Sequence, residues 1–83
     1  MIEMSDISQD VHGHHVLGES DAKNGINHLD HKLDSAEAQV FFEQAKMHGS
    51  VEFEDGNGKN YTLIRNSDAT YTVQKRKEPG GWF

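Results

Sequence analysis

The sequence predicts an α+β domain in which one amphipathic helix packs on a three-stranded antiparallel meander, preceded by an irregular or partly helical N-terminal segment. Apolar residues recur at helical spacing between Ser35 and His48, and from Ser50 onward the period changes to two. Turn-forming residues at 55–59 and 66–69 divide that second region into three strands joined by hairpins.

Residues 1–25 hold no sustained period. Ile2, Met4 and Ile7 are interleaved with polar residues, and Gly13, Gly18 and Gly25 interrupt the remainder of this stretch, so an irregular segment is expected. Ile26, Leu29 and Leu33 then fall at i, i+3 and i+7, as on a helix. This pattern can be carried on through Ala36 and Val40 as one helix over 26–47, or broken before a new start. Asp34 followed by Glu37 favours the break, because each side chain of such a capping box satisfies a free amide at the helix start.

Over 35–48, Ala38, Phe41, Phe42 and Ala45 form the expected buried face, while Glu37, Gln39, Glu43, Gln44 and Lys46 are directed elsewhere. Lys46 and His48 suit the negative end of the helix dipole, and Gly49 is placed to close the helix. Strands are expected over 50–54, 60–65 and 70–76. Val51 and Phe53, Tyr61 and Leu63, and Tyr71 and Val73 supply one apolar face for the helix.

Such a core is small. Phe41, Phe42, Phe53, Leu63, Tyr71 and Val73 contribute about 1.5–3 kcal/mol each on burial. That is less than the conformational entropy of the ordered residues, at about 1 kcal/mol or more each. The apolar fraction of 34% is also low. Further burial is therefore expected from the N-terminal segment or from a second copy, which points to a homodimer, and the two sheet edges offer pairing surfaces.

After Lys77 and Glu78, Pro79-Gly80-Gly81 ends regular structure, and Trp82 and Phe83 close the sequence. Large aromatic residues beyond such a hinge either fold back over the sheet or enter a partner's pocket, which makes Trp82 and Phe83 the candidate partner-binding residues. The organisation thus reads as an acidic, histidine-containing segment over 1–33, a helix with three strands over 34–77, and a tail over 78–83.

Composition narrows function mainly by exclusion. The 83 residues include no cysteine, which removes disulfides, thiolate metal sites and cysteine nucleophiles. The start of the chain has neither a basic nor an apolar targeting region, and no run approaches a membrane span, so a cytoplasmic protein is expected. The net charge of −6 is concentrated in residues 1–34, where seven acids face only Lys23 and Lys32. Such an imbalance repels polyanions and makes nucleic acid an unfavoured partner.

Six histidines stand out, with His12, His14 and His15 clustered and His28 and His31 at i, i+3. Imidazoles at these spacings can share a metal, although no cysteine accompanies them; solvated polar residues are the simpler reading, and no metal or cofactor is assigned. Full protonation of all six would bring the formal charge from −6 to zero, which suggests pH-sensitive association between about pH 5 and 7. No serine sits in a nucleophile elbow, and Glu52 and Glu54 read as a solvated strand face, so no catalytic residue is assigned. Gly56-Asn57-Gly58 joins two strands instead of opening a helix, unlike a phosphate-cradling loop. The basic run 75–77, with Arg65 and Tyr71, offers a faint single-stranded nucleic-acid patch, but a charged edge strand that deters aggregation explains it as well.

The expectation is a small acidic protein-binding module of adaptor or inhibitor type, bacterial or phage-like in scale and without catalytic activity. It would bind another protein or a second copy of itself, and not a membrane. The alternatives are a metal- or pH-responsive protein acting through its histidines and, more faintly, single-stranded nucleic-acid binding.

Overall fold

Residues 7–18, expected to be irregular, form a hairpin in the structure, a computed structural model that describes residues 6–76. Strand β1 (Ile7–Val11) pairs antiparallel with β2 (His14–Gly18). The two-residue turn between them places His12 at φ 52° and Gly13 at φ 89°, the left-handed pair that a tight hairpin requires.

A single 3₁₀ turn (Ser20–Ala22) leads into helix α1 (Lys23–Asn27), which widens into a π-helical turn over His28–Lys32. Leu33 N–H closes that turn by donating to the His28 carbonyl at 3.1 Å. His12 Nε2 reaches over from the hairpin to the carbonyls of Leu29 (3.0 Å) and Leu33 (3.1 Å), so the imidazole satisfies helix-end acceptors. Leu33 is extended, and the chain breaks there as the capping box implies.

Helix α2 (Ser35–His48) begins as expected, with Glu37 N–H donating to Asp34 Oδ1 at 2.9 Å and Asp34 N–H to Glu37 Oε1 at 3.1 Å. Strands β3 (Ser50–Glu54), β4 (Asn60–Arg65) and β5 (Tyr71–Lys75) follow as an antiparallel meander.

The meander is only part of the sheet. β2 pairs parallel with β5, giving a five-stranded mixed sheet in the order β1-β2-β5-β4-β3. This corrects the expected architecture of one helix on a three-stranded antiparallel sheet: among the described residues there are five strands and two helices, although the α+β class stands. The physical reason lies in the inward positions of the hairpin. There Ile7, Val11 and Val16 are interrupted by Gln9, which bonds Asp30 (2.7 Å), by His14, which stacks on Phe42, and by Gly18, which lies under Ile26, so the inward face carries no apolar alternation.

Register aligns one inward row across the described strands, Ile7–Gly18–Val73–Leu63–Val51, buried at its centre and partly buried at its edges. Ala22, Ile26 and Leu29 from the first helical region and Ala38, Phe42 and Ala45 from α2 cover this face. Val11, Val16, Ala22, Ile26 and Leu29 are fully buried, so the N-terminal third supplies burial that the C-terminal part alone would lack. By strand alternation the other face carries the row Ser8–Leu17–Thr72–Ile64–Ser50. Among the described residues no helix is long and apolar enough to cross a membrane.

Candidate functional site

Helix α2 buries Ala38, Phe42 and Ala45, and this fixes what its other sides present. Val40 and Met47 lie seven residues apart on the side turned from the sheet. They are the exposed large apolar residues among those described, at 53% and 75% exposure. Neither has a structural use in the core.

Beside this stripe, between α2 and the β4–β5 hairpin, runs a cleft of about 570 Å³. His14, Phe42 and Tyr71 form its floor. His14 stacks on Phe42 with centroids 4.1 Å apart, and Tyr71 meets both rings edge-on, at 5.5 and 4.8 Å. His14 Nε2 lies 3.0 Å from Gln39 Oε1, and Gln39 Nε2 donates to Glu43 Oε2 at 3.1 Å. With the Gln39 amide oriented by Glu43, its oxygen accepts from the imidazole, so one wall is a continuous polar relay.

The opposite wall is Arg65, at the end of β4, with its guanidinium carbon 5.5 Å from the Tyr71 ring centroid. Its Nε is buried and meets no hydrogen-bond acceptor in the structure. Among the described residues no ion pair engages Arg65 or Lys46, which also lines the cleft. Ala69 closes the far rim from the β4–β5 turn at φ 74°. Asn66 and Asp68 shape that turn through bonds to Thr70 and Thr72. An aromatic floor, two cations and an apolar rim suit an amphipathic ligand with an acceptor group.

A second, polar hollow of about 420 Å³ is lined by Asn24, Asn27, His28, His31, Lys32 and Asp55, among others. Asp55 is buried, and three donors occupy its carboxylate: the amides of Asn57 (2.8 Å) and Lys59 (3.0 Å) on Oδ1, and the Tyr61 hydroxyl (3.1 Å) on Oδ2. Burial pushes the Asp55 carboxyl pKa up. The Lys59 and Asn57 amides, the Tyr61 hydroxyl and the nearby His28 outweigh that and hold it below its usual range. Burial pushes the Tyr61 phenol up to about 12, helped by its bond to Asp55 and by the charges of Asp55 and Asp21. A carboxylate so occupied holds the β3–β4 loop and is a poor general base.

Strand alternation separates the histidine cluster. His14 points into the cleft, His15 lies on the other sheet face near Ser8 (3.0 Å) and Asp10 (3.8 Å), and His12 clips the π-helical turn. His28 and His31 share the polar hollow, and His31 lies 3.5 Å from Asp30. Among the described residues no group of three or more potential ligands gathers for a metal ion. Arg65 and Tyr71 do come together, but Arg76 lies beyond the opposite end of β5 and pairs with Glu52 at 3.3 Å.

Trp82 and Phe83 lie outside the described residues. Sequence periodicity alone does not single out Val40, Met47 and Lys46 as site residues. The signal that could have found the first two is that Val40 and Met47 stand seven apart, off the stripe of Ala38, Phe42 and Ala45. In comparisons with protein-family models, curated proteins and solved structures, nothing matches this chain.

Proposed function

We propose that this protein is a small, non-catalytic, cytoplasmic binding module that contacts another protein, or a second copy of itself, through the outer side of α2. The observation that supports this reading is the pairing of exposed Val40 and Met47 on one side of the helix, beside a cleft with an apolar rim. Met adapts to varied partner surfaces, and helix faces with a few apolar anchors are a common mode of protein recognition. An adaptor or inhibitor role needs nothing beyond such a surface. The occupied Asp55 carboxylate favours binding over catalysis, since its three donors leave it little capacity to take a proton from a substrate.

The test is photo-crosslinking in the cells that make the protein, with benzoylphenylalanine placed at exposed Gln44, between Val40 and Met47. A discrete adduct is expected, lost when Val40→Glu and Met47→Glu are combined; an adduct of twice the chain mass identifies a second copy. The reading fails if Gln44 gives no adduct, or if the double substitution leaves the adduct unchanged. Lys23, exposed on α1, serves as the control position.

A further inference from the structure

We propose that the cleft between α2 and the β4–β5 hairpin binds a side-chain carboxylate of a partner protein segment, while an adjoining apolar residue of that segment rests on Met47. This rests on the binding-module reading above and gives it a ligand chemistry. Arg65 carries the argument. Its Nε is buried without an acceptor and closed to a ligand, so the remaining guanidinium N–H groups of this cleft-lining residue are the donors that a carboxylate would meet. The guanidinium carbon lies 5.5 Å from the Tyr71 ring centroid, and the intrinsically planar guanidinium matches the two oxygens of a carboxylate.

Charge favours the same occupant. The protein as a whole carries −6, yet Arg65 and Lys46 both face the cleft with no ion pair among the described residues. Glu43 is the acidic residue on the lining, and Gln39 already donates to it. The lining therefore carries two cations against one carboxylate, which suits a single entering negative charge, whereas a polyphosphate or a nucleic-acid strand brings more negative charge than the lining offsets and meets the acidic remainder of the chain. Met47 at the rim, 75% exposed, supplies apolar contact next to the charge, so the fitting ligand is an acidic residue flanked by a bulky apolar one.

The experiment titrates the isotopically labelled full chain with the acetylated, amidated peptide Ala-Leu-Glu-Leu-Ala and monitors backbone amide shifts. Saturable shifts are expected at Lys46, Met47, Arg65 and Ala69. Affinity should fall about tenfold when the peptide Glu is replaced by Gln, and by a similar factor in Arg65→Gln, as expected for loss of a charged hydrogen bond. If Arg65→Gln loses its dispersed spectrum, Lys46→Gln, at an exposed position, replaces it, with a smaller loss of about threefold expected for a single unpaired charge.

The proposal is overturned if the Glu and Gln peptides bind equally, if shifts map away from the cleft, or if millimolar peptide produces no saturable shift. It is also overturned if sodium acetate, inorganic phosphate or an oligothymidylate binds there as tightly as the peptide. The two readings fail separately. Crosslinking through Gln44 that persists in Arg65→Gln, with no peptide discrimination, removes the carboxylate site and leaves the binding surface of α2 standing.

Discussion

Asp55 and Tyr61 are buried against each other at the start of the β3–β4 hairpin, and their shared hydrogen bond gives stability a dependence on pH at both extremes. The Asp55 carboxyl is lower in the fold than its usual 3.8, because two amides, a hydroxyl and His28 outweigh its burial. As pH falls the unfolded chain therefore takes up this proton first. The stabilisation is complete above about 3.8 and is lost as pH falls through the lower folded value. Tyr61 behaves in the opposite sense. Burial and the bonded carboxylate raise it from 10.0 to about 12, so its contribution is complete below 10.0 and is lost as pH rises toward 12. Asp55→Asn is expected to destabilise by about 2 kcal/mol at neutral pH, since it removes a charged acceptor from three donors. Urea midpoints of both proteins between pH 2 and 7 check the linkage: the gap should narrow below about pH 4. A gap of constant size would refute it.

At the scale of elements, helix α1 touches the sheet through a glycine. A Cβ added at Gly25 would stand 2.6 Å from Tyr61 Cδ2, and the Tyr61 ring is pinned by its bond to Asp55 and its stacking on Phe53 at 5.5 Å. On an exposed helix, Gly→Ala stabilises by about 1 kcal/mol. Here overpacking at about 1–3 kcal/mol exceeds that gain, so the sign reverses. Gly25→Ala is expected to lower the thermal midpoint by roughly 5 °C, the scale of a 1 kcal/mol loss in a domain of this size; a raised midpoint would show that α1 can lift off the ring. The same close approach explains why α1 is hard to read in the sequence: Gly25 breaks a helical pattern yet lies fully inside the packing. α2, by contrast, announces itself through its capping box and its Ala38, Phe42 and Ala45 stripe. β3, β4 and β5 do so through strict alternation between turn residues. The β1–β2 hairpin lacks such a signal because Gln9, His14 and Gly18 interrupt its inward row of Ile7, Val11 and Val16, and each packs against a specific partner that only the fold brings near.

The whole molecule depends on that hidden hairpin. The expectation of a helix and three strands over 34–77 leaves open whether the N-terminal segment or a second copy supplies the missing burial, and gives that segment no strand. In the sheet order, however, β2 lies between β1 and β5, so β5 is central only because β2 is present. The candidate site inherits the dependence. Arg65 and Tyr71 are legible as neighbours on a hairpin, but the cleft floor needs His14, which arrives from the far end of the chain through the parallel β2–β5 pairing. Local sequence carries no record of a contact between residues 14 and 42. Deletion of residues 1–18 would expose the β5 edge and strip Val16 from beside Tyr71 and Gly18 from beside Val73. It would also remove the imidazole stacked on Phe42 and uncover Ile26, which packs at Gly18. Losing buried Val11 and Val16 costs about 1.5–3 kcal/mol each by transfer alone, before the lost strand pairing and stacking are counted. A chain this small has a total stability on the order of 5 kcal/mol. The truncated protein is therefore expected to lose near-ultraviolet circular dichroism and to unfold without a cooperative urea transition. A sharp transition with native-like aromatic signals would instead establish residues 19–83 as a self-sufficient domain, and the hairpin as an attachment to it.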